Sequence, residues 1–154
     1  MGNIYSYYRC EWNSDEKLPI IFKGARNCAF ESNKKLLLYI NKKKDTSSLE
    51  QMLSKEQFLY NDKNMSTERI VNKFVEKGIL VDESTKVEIR LESYKTLSVH
   101  GDDFDIILAL FPSSEMLNQL SNLKSFSAII CIGYGECLDK WITKHKANPI
   151  KFIN

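Results

Sequence analysis

The clearest pattern of apolar and polar positions lies in the last third of the chain. Ile106-Ile107-Leu108-Ala109-Leu110-Phe111 is a continuous apolar run, too short for a helix core and suited to a strand buried on both faces. Pro112-Ser113-Ser114 ends it and supplies helix-capping hydroxyls. Met116, Leu117, Leu120 and Leu123 then follow at helical spacing. Phe126 to Ile132 is a second apolar strand, and Gly133-Tyr134-Gly135 turns into a helix carrying Leu138, Trp141 and Ile142. Pro149 is expected to stop that helix, with a last strand over Ile150 to Ile153. Strand, helix, strand, helix, strand with short links predicts a βαβαβ portion of parallel sheet covered by helices.

Earlier parts of the chain mix the two periods. Ile4 to Trp12 reads as a first strand, with Tyr5 and Tyr7 on one face and Ile4, Ser6 and Tyr8 on the other. Pro19-Ile20-Ile21-Phe22 is a short apolar piece, and Ala25 to Ser32 carries no clear period. Leu36 to Ile40 is a strand bracketed by Lys34-Lys35 and Lys42-Lys43-Lys44. Leu49, Met52, Leu53 and Phe58 follow helical spacing after the hydroxyls of Thr46, Ser47 and Ser48. A further helix runs from Ser66, a cap, through Ile70, Val71, Phe74 and Val75 to Gly78. Val87, Ile89 and Leu91 alternate with Glu88, Arg90 and Glu92, which predicts a strand with one wet face in antiparallel pairing. The expected fold class is therefore α/β (or α+β): a single domain over residues 1–154 with one mixed sheet.

Composition supports that picture and excludes little else. The 154 residues are 43% hydrophobic and 27% charged, ordinary values for a chain that buries a core. The 22 basic and 20 acidic residues leave a net charge of +2, too little to point to nucleic acid. Lysines flanking Leu36 to Ile40, with Tyr39 between them, offer a stacking site for single strands. Their expected role is instead to guard an exposed sheet edge. Cys10, Cys28, Cys131 and Cys137 form no C-x-x-C pair, so reduced thiols in a cytoplasmic protein are expected. No apolar run approaches the roughly 18 residues of a spanning helix. Met1-Gly2-Asn3-Ile4-Tyr5-Ser6 matches the N-myristoylation pattern, a minority reading because a first strand leaves little free arm.

Candidate chemistry is sparse. Gly133-Tyr134-Gly135-Glu136 follows a strand and opens a helix, where amides can hold an anion. The third glycine of a dinucleotide fingerprint is replaced by Leu138, so Gly133 and Gly135 read first as turn residues. Ser113 and Ser114 end the neighbouring strand and could share a pocket with them, although helix capping explains the serines more simply. Asp102, Asp103 and Asp105 lack calcium-loop spacing and read as a solvated turn. His100 and His145 sit in no nucleophile or metal motif. No cofactor, metal or catalytic residue is expected. The function this pattern predicts is partner binding: an immunity-type inhibitor that occludes a toxin, such as a basic nuclease. Tyr5, Tyr7, Tyr8 and Trp12 are the candidate aromatic anchors. Glu88 and Glu92, with Asp82 and Glu83, form the candidate acidic face, or the alternating strand pairs edge to edge with a partner strand. The alternative is a nucleotide- or anion-binding enzyme using loops 111–115 and 132–136, through Ser113, Ser114, Gly133 and Gly135.

Overall fold

The computed structural model describes residues 4–10, 16–32, 35–41, 47–54, 66–97, 105–123 and 126–151. Seven strands form one mixed sheet: β1 (Ile4–Arg9), β2 (Lys35–Ile40), β3 (Ile79–Val81), β4 (Glu88–Ser93), β5 (Ile106–Leu110), β6 (Ala128–Gly133) and β7 (Asn148–Pro149). Their order is β3-β4-β2-β5-β6-β1-β7, antiparallel only between β3 and β4. Among the described residues there are five helices: α1 (Leu18–Phe30), α2 (Ser47–Leu53), α3 (Thr67–Lys77), α4 (Ser114–Ser121) and α5 (Glu136–His145). The α/β class with a helix-covered parallel portion is what the apolar runs predict.

The two faces of the sheet carry separate cores. Leu36, Leu38, Ile40, Ile89, Leu91, Ile106, Leu108 and Leu110 meet the buried stripes of α1, α2 and α3 on the first face. Leu37, Tyr39, Ile107, Ala109, Ile129 and Cys131 meet α4 and α5 on the second. The strict alternation along β2 and β5 follows from the two-residue period of a strand. It also explains why both strands read as unbroken apolar runs: each residue faces one of two cores.

Helix α1 was not legible in the sequence. Leu18, Ile21, Phe22, Ala25 and Ala29 form its buried stripe, but Pro19 and Gly24 break the usual signature. Pro19 sits in the first turn, where the missing N–H has no helical partner to lose. Arg26, on the same helix, is buried and pairs with Asp82 (Nη1 to Oδ1, 3.2 Å). Asp82 also accepts from Ser84 Oγ (3.1 Å), the Thr85 amide (2.9 Å) and Thr85 Oγ1 (2.6 Å). Helix α3 forms as predicted. Ser66 caps it by accepting from the Arg69 amide, and Gly78 closes it in the left-handed region at φ 75°.

Three expectations about strands and one about a helix end change. Leu36–Ile40 is not an edge strand: β2 lies between β4 and β5, and all five of these residues are buried. The lysine-guarded edge is therefore corrected to a central strand. β4 is internal too, paired with β2 along its length and with the three-residue β3 over Glu88–Arg90, so the edge of that stretch is already occupied. The last strand is Asn148–Pro149, beside β1 rather than β6, because β1 inserts between β6 and β7. Helix α5 stops at Lys146, which takes a left-handed conformation, before Pro149 is reached. Trp12, Gly2, Phe58, His100, Asp102, Asp103, Phe152 and Ile153 lie outside the described residues.

Candidate functional site

The parallel strands β4, β2, β5, β6 and β1 point their carboxyl ends to one edge of the sheet. Neighbouring strands diverge there. The chain leaves β2 for α2 on the first face and β5 for α4 on the second; likewise it leaves β1 for α1 and β6 for α5. Such divergence opens crevices between β2 and β5 and between β6 and β1, where open α/β sheets favour ligands, whereas β5 and β6 send their helices to the same face. A cavity of about 300 Å³ lies at this edge, lined by Phe111, Pro112, Ser113, Ser114, Tyr134, Gly135, Glu136 and Cys137. The two loops that the sequence suggested could share a site thus line one cavity.

Each lining residue has a local cause. Phe111 N–H donates to the Ile132 carbonyl at 2.6 Å, which ties the end of β5 to the end of β6. Holding that bond puts Phe111 at φ 49°, a left-handed conformation that a bulky side chain rarely adopts. A Cβ on Gly133 would meet Phe111 Cα at 3.4 Å and Pro112 Cδ at 3.5 Å. Gly135 is the N-cap of α5 at φ 102°, a conformation open to glycine and costly for other residues. Gly135 therefore has a backbone reason to be glycine, whereas a Cβ at Gly133 would make only ordinary contacts. Tyr134, between them, is thrown outward and is 60% exposed.

The helix starts around the cavity are already supplied with negative charge. Ser113 caps α4 by accepting from the Met116 amide at 3.3 Å, as its capping reading predicts. Backbone N–H and the hydroxyls of Ser113 and Ser114 hold the Glu115 carboxyl below its usual range. Glu136 and Asp139 occupy the first turn of α5, where carboxylates complement the helix dipole. Arg9, at the end of β1 opposite Gly133, pairs with Asp139 and lies over the Tyr7 ring, 5.4 Å from its centroid. Sequence reasoning missed Arg9 and Cys137, and it placed Tyr134 in the loop 132–136 without singling it out. Tyr134 could have been singled out as an aromatic between two glycines. Arg9 could not, because only the β1–β6 register brings it to this edge.

The other candidate residues are dispersed. Tyr5 is half-buried, stacked on His145 (centroids 4.4 Å apart, interplanar angle 20°) and edge-on to Phe126 and Trp141. Tyr7 packs on the same second-face core, while Tyr8 packs on the first. These rings serve the fold's own cores. Glu88 pairs with Arg90 at 3.1 Å. Glu92 is 4% exposed, beside Tyr39 in the sheet register, and Asp82 is 1% exposed. The expected acidic face is corrected accordingly: burial removes Glu92 and Asp82 from it. Cys10 and Cys131 are buried, Cys28 and Cys137 exposed, and burial pushes the Cys131 thiol upward.

Among the described residues, no helix is long and apolar enough to cross a membrane. No protein-family model, curated protein or solved structure matches the chain.

Proposed function

We propose that this protein is a binding module that acts on another protein through the carboxyl edge of its sheet, seating a partner side chain in the cavity between Phe111 and Tyr134. The observation that carries this reading is the strained Phe111 at the cavity wall. Backbone held in a sparsely populated conformation costs roughly 1–3 kcal/mol and clusters at ligand clamps and binding sites. Here the strain preserves a concave shape beside the exposed Tyr134. Tyrosine is enriched at interface hot spots, where an anchor fills a desolvated pocket. The volume, about 300 Å³, sits at the floor of small-molecule sites, which span roughly 300–1,000 Å³. It suits one anchoring side chain and is small for a dinucleotide. Inhibition by occlusion of the partner's active site is the mode of action we assign to this binding.

The nucleotide or anion reading of the same loops draws support from their place at the carboxyl ends of adjacent strands. Charge weighs against it. Glu136 lines the cavity and Glu115 caps the neighbouring helix start, so carboxylates stand where a phosphate would need amides alone.

The test is capture with the tagged chain in the cells that encode it. We expect one protein in fixed stoichiometry, lost with Tyr134→Ala or Ser114→Lys and retained with Glu88→Lys. Its activity should fall as one equivalent of the chain is added. A partner held equally by Tyr134→Ala and Ser114→Lys would overturn the assignment of the site. Thermal stabilisation by ATP or inorganic phosphate, in the absence of any protein partner, would favour the anion reading, because a ligand that binds only the folded state raises its stability.

A further inference from the structure

A second, larger concavity lies on the first face, remote from the loops just described. It measures about 510 Å³ and runs between α1 and the flank of the sheet, lined by Ser6, Lys17, Ile20, Ile21, Gly24, Ala25, Cys28, Ile130, Ile150 and Lys151. Its walls are mostly apolar, with Ser6 along the strand and the two lysines as its polar members. Lys17 immediately precedes α1, hence at the carboxyl edge where β1 hands over to that helix. The Ile150 amide bonds the Tyr7 carbonyl at 2.9 Å, and β7 runs parallel to β1, so Lys151 reaches the same edge. Both cationic residues therefore stand at one mouth, and among the described residues no acidic side chain lines the cleft. From Lys17 to Cys28 the helix rises about 16 Å. At the zigzag repeat of C–C bonds near 1.5 Å, that length holds an extended chain of roughly a dozen carbons.

Gly24 supplies an independent observation. It lies mid-helix in α1, where glycine weakens a helix relative to alanine. Its φ is not in the positive range that glycine alone tolerates. An added Cβ would meet no heavy atom within 4 Å, so close packing does not demand glycine either. What the missing side chain leaves is open width in the middle of the cleft. Ile20 above it is 52% exposed, an apolar residue turned to the same opening.

We infer that this cleft binds a free fatty acid, its chain laid along α1 past Gly24 and its carboxylate held by Lys17 and Lys151. Apolar burial along the chain provides the affinity, and the lysine mouth sets the orientation and selects the anion over a cation of equal length.

The test uses the full chain, freed of bound lipid by reversible unfolding, and laurate below its micellar concentration, followed by titration calorimetry. We expect one laurate per chain and binding at least about tenfold weaker for dodecyltrimethylammonium. Gly24→Leu, which fills the open space without a backbone clash, should abolish laurate binding while leaving the melting temperature equal or higher. The double change Lys17→Glu with Lys151→Glu should reverse the preference between the two amphiphiles. Tyr134→Ala should leave laurate binding unchanged, which separates this site from the carboxyl-edge cavity. No laurate binding, equal binding to Gly24→Leu, or equal affinity for the ammonium overturns the inference.

Discussion

The two helical layers are offset from each other across the sheet, and each leaves one flank of strand thinly covered. On the second face the core draws no residue from β4; among the described residues, the side chains there are Glu88 and Arg90, paired with each other at about one-third exposure, with Glu92 buried beside Tyr39. On the first face the core thins toward β1, β6 and β7, where Ile130, Ala128 and Ile150 are only partly buried and Ile4 is 59% exposed. Both flanks lie at the margin of a helix layer. One is polar and needs nothing to cover it. The other is apolar, and parallel strands normally have both faces covered. An uncovered flank becomes a candidate binding surface only where its chemistry leaves apolar area in water.

The largest effect expected on this comparison comes from the tether that holds the first-face layer. Asp82→Ala leaves Arg26 buried without its carboxylate and should cost about 3–5 kcal/mol, read as a lower urea midpoint. The same carboxyl titrates. Burial raises it, but the Thr85 hydroxyl and amide, Arg26 and the Ser84 hydroxyl outweigh burial and hold it below its usual range. A depressed folded value means the stabilisation is present above about pH 4 and is lost as pH falls through the folded pKa. Asp82→Asn should flatten that acid limb; an unchanged limb would show that the tether does not govern the layer.

A smaller effect of opposite sign is expected at the apolar flank. Gly24→Ala should stabilise α1 by about 0.5–1 kcal/mol, because its Cβ meets open space. Destabilisation would mean that the glycine is required by packing and that the cleft is narrower than described. At the polar flank, Glu88→Gln should change stability by no more than about 1 kcal/mol. A larger loss would erase the contrast between the flanks. The mildest dependence belongs to His145. Burial and then Lys144 lower its pKa, so its neutral form is favoured in the fold and stability declines slightly as pH falls from about 6.5. His145→Gln should remove that slope while also losing the ring's contacts with Tyr5 and Trp141.

Legibility in the sequence followed how many faces a segment buries. The run Ile106–Phe111 was readable because a strand buried on both faces is apolar throughout, and Phe126–Ile132 because apolar residues dominate both of its faces even where Ala128 and Ile130 are only partly covered. Ser66 and Gly78 marked α3 because capping chemistry is local. Helix α1 was hidden by Pro19 and Gly24, each a helix-breaking signal whose context, a first turn and an open cleft, is tertiary. The place of β2 was misjudged because flanking lysines occur both beside edges and at the ends of central strands. Glu92 was misjudged because alternation shows which face a residue takes, and not whether Tyr39 and its neighbours cover that face. At the site, the meeting of the loops carrying Ser113, Ser114 and Gly135 was legible, because both follow apolar strands, although Gly133 is not among the residues that line the cavity. The strain at Phe111 and the approach of Arg9 to this edge were not legible, because strain and interstrand register leave no local mark.

Hydrogen exchange on the complex with the captured partner tests the central claim most directly. The account predicts that partner binding slows exchange in residues 111–116 and 133–138, with the segment 88–93 unchanged. Protection confined to 88–93, or spread over the first-face flank with none at 111–116, would contradict it.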